Sequence, residues 1–137
     1  SAIYPAYTYL YGIPKFPRVT HYPEVNGKKV NILEVPVPVF GAYNYYIGYS
    51  GGFYLRLFPA WFVKYLIYRA NIKGVPTFIY LHPREIDIEQ PKLNLNMIER
   101  FIHYFGVKGC EKKLEDIIRS LSNSCLPIAD GIKKMQL

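Results

Sequence analysis

Apolar side chains recur at helical spacing in the middle of the chain, where Phe62, Val63, Leu66, Ile67 and Ala70 share one face. Pro59 suits the first turn of that helix and Gly74 closes it, while Lys64, Tyr68 and Arg69 fall opposite the apolar face. A second amphipathic helix is predicted over residues 111–122, on Leu114, Ile117, Ile118 and Leu121. Between the two, Asn96 stands three residues before Glu99, a capping-box spacing that predicts a helix over 97–104, ended by Gly106.

Two stretches read as strands. Residues 76–82 (Pro-Thr-Phe-Ile-Tyr-Leu-His) are β-branched and aromatic with little alternation, as in a strand buried on both faces, and Pro83 ends it. Residues 30–39 also read as a strand. Pro36 and Pro38, two apart, remove amide donors on one side and mark an edge or the strand's exit. Residues 1–26, with Pro5, Pro14, Pro17 and Pro23, are predicted as an extended, ordered loop packed through tyrosines. Residues 41–52 are predicted as a Tyr- and Gly-rich loop ending in Ser50-Gly51-Gly52, and the tail after Pro127 as loose. The domain is accordingly drawn over residues 1–125, with the tail over 126–137.

Strand, helix, strand, helix is the order of an α/β domain with parallel pairing and right-handed crossover helices. A parallel sheet of two strands leaves unpaired edges. Either the Tyr-rich N-terminal segment adds strands or the rest of the sheet lies elsewhere, and the open edge favours homodimerisation.

Composition narrows the classes. The chain has 137 residues, 50% hydrophobic and 20% charged, the balance of one globular domain rather than of a disordered segment. Fourteen tyrosines offer flat rings with a hydroxyl handle, as sugar-binding clefts use, and as ordinary cores and interfaces use too. Seventeen Lys and Arg against 10 Asp and Glu give a formal charge of +7, enough to attract polyanions. The pairs Lys28-Lys29, Lys112-Lys113 and Lys133-Lys134 are scattered rather than gathered into a nucleic-acid footprint, so no nucleic acid is expected as partner. The longest apolar run, around residues 58–68, is interrupted by Lys64 and is too short to span a bilayer. Cys110 and Cys125 sit in no Cys-x-x-Cys arrangement, and two unpaired thiols are expected.

His21, His82 and His103 are too far apart in sequence to form a metal motif by spacing. His82 differs from the other two because it closes a buried strand, and the carboxyl ends of parallel strands are where α/β folds place their sites. A histidine there can act as a general acid near neutral pH, or simply cap the strand. Glu85 and Asp87 follow closely enough in sequence to hold its imidazole. His103 lies within a predicted helix beside Arg100, where a packing or capping role is the simpler reading.

Four segments occur in an order that resembles the C-terminal region of bacterial polysaccharide deacetylases of the NodB-like, metal-dependent type encoded with exopolysaccharide genes. They are Leu33-Glu34-Val35-Pro36, the run from Ser50-Gly51-Gly52-Phe53-Tyr54 through Pro59, the run from Tyr80-Leu81-His82-Pro83 through Asp87, and Arg100-Phe101-Ile102-His103-Tyr104. The resemblance covers residues 1–121. It implies a distorted β/α barrel that hydrolyses the N-acetyl groups of a hexosamine polymer. It also implies a zinc-like divalent ion held by one Asp and two His, with a second Asp as base. None of those four residues lies in this sequence, so the resemblance implies that the metal-binding half lies upstream and that this portion is inactive alone. The family's Leu-His motif corresponds to Leu81, beside the acetyl methyl, and His82, the acid that protonates the departing amine. Tyr54, Arg56 and Glu85 are the further substrate-binding candidates. Arg84 stands where many relatives carry Trp. The family points to the bacterial cytoplasm or cell envelope.

Two rival readings stand beside this one. The chain could be a carbohydrate-binding or scaffolding module with Tyr43, Tyr45, Tyr46 and Tyr54 as a stacking surface. It could also be a structural partner that completes a barrel in trans.

Overall fold

A computed structural model describes residues 19–42 and 45–135. The predicted N-terminal loop is therefore outside the described residues up to residue 18, as are residues 43 and 44. Among the described residues the chain is a mixed α/β structure of helices and two small antiparallel sheets.

The first sheet is a hairpin of β1 (Glu24–Val25) and β2 (Lys28–Lys29), with Glu24 opposite Lys29. Its turn is Asn26-Gly27, at φ 53° and 73°, the mirror-image turn whose twist suits adjacent strands. Beyond it the predicted strand over 30–39 is mostly absent. A bridge joins Glu34 to His21, through hydrogen bonds of 2.8 and 3.1 Å, and regular pairing waits until Pro36 and Pro38 are passed. The second hairpin then forms from β3 (Val39–Ala42) and β4 (Tyr45–Gly48), with Phe40 opposite Ile47. It occupies most of the stretch expected to be loop, because Val39, Phe40, Tyr46 and Ile47 supply strand-forming side chains beside the glycines.

A short helix α1 (Gly52–Leu57) leads through Phe58 and Pro59 into α2 (Ala60–Ile72). Val63 and Ile67 of α2 are buried, with Phe62, Leu66 and Ala70 half-buried beside them, so the predicted apolar face is the inward one. The chain then runs extended through residues 75–81 to a 3-10 turn, Pro83–Glu85. Helix α3 (Met97–Tyr104) has its capping box, with Asn96 Oδ1 accepting from Glu99 N at 2.9 Å and Glu99 Oε2 from Asn96 N at 3.2 Å.

Gly106, at φ 73°, separates α3 from α4 (Val107–Ser120) with no loop between them. Helix α4 starts four residues earlier than predicted because its buried face extends back through Cys110 to Val107. After Pro127 the chain forms α5 (Ile128–Lys134) where a loose tail is predicted; Pro127 preorganises its first turn and Asp130 lies near its start.

The core is formed by Tyr49, Leu55, Val63, Ile67, Cys110 and Ile117, where α1, α2 and α4 meet. Phe40, Phe58 and Phe62 extend it as edge-to-face rings 5.3–5.6 Å apart. Ile79 and Leu81 pack against it from the extended segment.

The expected parallel sheet is not present among the described residues. Residues 76–81 are extended but make one parallel bridge only, Tyr80 to Gly51, with Tyr80 N donating to Ser50 O at 3.3 Å. Pro76 offers no amide hydrogen, and the neighbouring chain turns into α1 at once, so the ladder cannot lengthen there.

Candidate functional site

The motifs that stand apart in sequence meet around one buried charged cluster. Glu85 N donates to His82 O at 2.9 Å, closing the turn at Pro83 so that the Glu85 side chain points inward and is 2% exposed. Glu85 Oε1 and the Tyr80 hydroxyl lie 3.5 and 3.7 Å from the point a Cβ on Gly52 would occupy. Arg56, 3% exposed, comes from α1. Its guanidinium donates to Ile102 O at 2.9 Å, His103 O at 3.3 Å and Phe105 O, three carbonyls at the C-terminal end of α3. Burial pulls the Arg56 pKa down from its ordinary value, and the Glu85 charge opposes that shift.

Lys113 of α4 finishes the C-terminal end of α1. Its ammonium donates to the carbonyls of Leu55, Arg56 and Phe58 at 3.2, 2.8 and 2.8 Å. Burial depresses its pKa too. A buried cation, Arg56, and a half-buried one, Lys113, thus hold the C-terminal ends of two helices' hydrogen-bond ladders, and the buried Glu85 carboxylate lies with them. Ser50 Oγ, Arg56 Nε and Glu85 Oε2 are buried with no hydrogen-bond partner among the described residues.

Of the predicted site residues, Arg56 and Glu85 are therefore brought together, in the interior. Leu81 is half-buried against the core, and His82 is exposed, its ring edge-on to Tyr80 at 6.4 Å. Neither Glu85 nor Asp87 holds the His82 imidazole: Glu85 turns inward, and Asp87 Oδ1 accepts from Glu89 N at 2.9 Å. Tyr54 is half-buried and stacks on Phe58 at 6.1 Å. Of the suggested tyrosine stacking surface, Tyr46 is half-buried as well, while Tyr43 and the Tyr45 side chain lie outside the described residues. Arg84 reaches His103, with 3.4 Å between Nη1 and Nδ1. His21 Nδ1 lies 2.9 Å from Val19 O, and its Nε2 lies 4.0 Å from Glu34 Oε2.

Sequence reasoning missed Lys113 and Ser50. A lysine on a helix reads as solvated surface, and only the packing of α4 on α1 brings it to three carbonyls.

A family model described as a domain of unknown function, DUF3473, matches residues 1–125. The chain belongs to the DUF3473 family. No curated protein and no solved structure matches this DUF3473 chain.

A divalent metal does not fit the described residues. No three His, Cys, Asp or Glu side chains among them gather closely enough to hold one. No helix among them is long and apolar enough to cross a membrane.

Both cysteines are free thiols, Cys110 buried and Cys125 exposed. Burial first, and the Glu85 charge second, push the Cys110 thiol above its ordinary value of 9.0. A folded state that keeps this proton gains stability that is full below pH 9.0 and lost as pH rises through the higher folded value. Cys110→Ala is therefore expected to flatten the alkaline loss of stability seen in urea titrations. An aromatic disulfide reagent should modify Cys125 at once and Cys110 only after unfolding.

Proposed function

We propose that this chain is the C-terminal portion of a metal-dependent polysaccharide deacetylase that removes N-acetyl groups from a hexosamine polymer. In this reading residues 76–81 are a late strand of a β/α barrel whose neighbouring strands and metal ligands come from the upstream half. The observation that carries it is the convergence of the resemblance-bearing motifs. Ser50-Gly51-Gly52, Arg56 and Glu85 fix the end of an extended segment, and from that end Leu81 turns inward and His82 turns out.

The residues then divide the work. Glu85 and Arg56, being buried, position the turn after His82 rather than touch the polymer. Leu81 borders the acetyl methyl. His82, exposed at the end of the segment, donates a proton from its imidazolium to the amine nitrogen as the carbon–nitrogen bond breaks. The divalent ion would be held by the upstream half.

The test is acetate release from N-acetylglucosamine oligomers by the chain joined to its metal-binding half. The joined enzyme is expected to release acetate and the chain alone to release none. His82→Ala should lower kcat by about 100-fold or more with little change in KM. A folded, metal-loaded joined enzyme that releases no acetate would overturn the proposal.

A further inference from the structure

Helix α2 is apolar on its inner side and aromatic on its outer one. Trp61, Tyr65 and Tyr68 are exposed, at 69, 47 and 61%, and Ile72 continues their line at 65%. Their spacing of four, three and four residues keeps all of them on one narrow stripe. Along the axis the rings advance by about 6 and about 4.5 Å, from a rise of about 1.5 Å per residue. That advance is comparable to one sugar ring along an extended polymer.

The chemistry of this stripe differs from that of the other exposed apolar face. Helix α3 shows Met97, Ile98, Phe101 and Ile102, mostly flexible or aliphatic side chains that suit protein packing. The α2 stripe instead presents flat rings with polar edges, which stack on the C–H face of a pyranose and still reach its hydroxyls.

Basic groups flank the stripe. Arg69 Nη1 donates to the Tyr65 hydroxyl at 2.9 Å, with the guanidinium carbon 5.8 Å from the ring centre, and exposed Lys73 follows at the helix end. Tyr65, Arg69 and Lys73 also line a cavity of about 450 Å³ shared with Thr20, Tyr46 and Tyr49. Thr20 is 8% exposed, and its Oγ1 is buried with no hydrogen-bond partner among the described residues.

We propose that the outer face of α2 is a binding platform for an acidic polysaccharide. Trp61, Tyr65 and Tyr68 stack its sugar rings, and Arg69 and Lys73 meet its carboxylates. The net charge of +7 favours the same partner. This goes beyond the deacetylase reading and is tested without the upstream half, so failure here leaves acetate release by the joined enzyme untouched.

Trp61 is the chain's one tryptophan, so its emission reports on the platform alone. Titration with a hyaluronan octasaccharide, alternating N-acetylglucosamine and glucuronate, is expected to give a saturable change that weakens with added salt. Tyr65→Ala and Tyr68→Ala should each weaken binding about fivefold, while Met97→Ser on α3 leaves it unchanged. No emission change in a chain shown by circular dichroism to be folded would overturn the proposal. So would an equal response to inorganic polyphosphate, which has charge but no rings to stack, or to phosphatidylglycerol vesicles. An emission shift that tracks protein concentration and dimer formation in sedimentation would reassign the stripe to contact between copies.

Discussion

Arg56→Ala is expected to destabilise the folded chain by about 3–5 kcal/mol in urea denaturation, the cost of breaking a buried charged network by removing one partner. The Arg56 guanidinium satisfies carbonyls of Ile102, His103 and Phe105, which the end of α3 leaves without helical partners. Truncation strands those acceptors and leaves the buried Glu85 carboxylate without the Arg56 charge that interacts with it. Arg56→Lys should recover less than half of the loss, since one ammonium cannot reproduce a planar fork aimed at three oxygens. Arg56→Met keeps most of the packing volume and isolates the polar part of the loss. Glu85→Gln in the Arg56→Ala background should cost less than in the parent, and a double-mutant cycle reads that coupling. A loss below about 1 kcal/mol for Arg56→Ala, with an unchanged urea slope, would mean that the cluster does not hold α3 in place.

The same cluster marks where sequence reasoning stops. Periodicity located the inner face of α2 because Phe62, Val63, Leu66 and Ile67 repeat at helical spacing, and the Asn96–Glu99 pair located the start of α3 through a local hydrogen-bond rule. Such signals lie within one element. The Asn26-Gly27 turn is equally local, a short-range hairpin signal at the edge of the stretch expected to be loop. The hairpin over residues 39–48 was hidden by Gly41 and Gly48, which weaken strand propensity that cross-strand pairing then restores.

The parallel pairing expected of residues 76–82 rests on a hydrophobic run, and such a run specifies burial rather than partners. The sequence points to Arg56 and Glu85 as polymer contacts, whereas both side chains are buried. Whether a charged side chain faces solvent or a helix end depends on how α1 meets α3 and α4, and no single segment encodes that meeting.

Gly51→Ala should be the more damaging of two outwardly similar substitutions, with Gly27→Ala as its control. Gly27 needs a left-handed conformation, φ 73°, but has open space around it, so alanine there pays only the conformational penalty of about 1 kcal/mol. Gly51 is extended, at φ −168°, and any residue could adopt its backbone. Its difficulty is contact: a Cβ would lie 2.5 Å from the Tyr80 ring carbons and 2.5 Å from the Tyr80 carbonyl oxygen. Carbon atoms settle about 3.5–4.0 Å apart, so the two segments must separate.

Separation breaks the Tyr80 N to Ser50 O hydrogen bond and moves the segment that leads to Leu81 and His82. The expected loss is about 3 kcal/mol or more, read by thermal or urea unfolding. Adding Tyr80→Ala should restore only part of it, because the carbonyl clash stays when the ring is removed. In the joined enzyme Gly51→Ala should also depress acetate release under conditions where it remains folded, since a displacement of about 1 Å at a proton donor is enough to slow the transfer. Equal losses for Gly51→Ala and Gly27→Ala would show that the two segments do not meet closely. The motif Ser50-Gly51-Gly52 would then need another explanation than the fit of Gly51 beneath Tyr80.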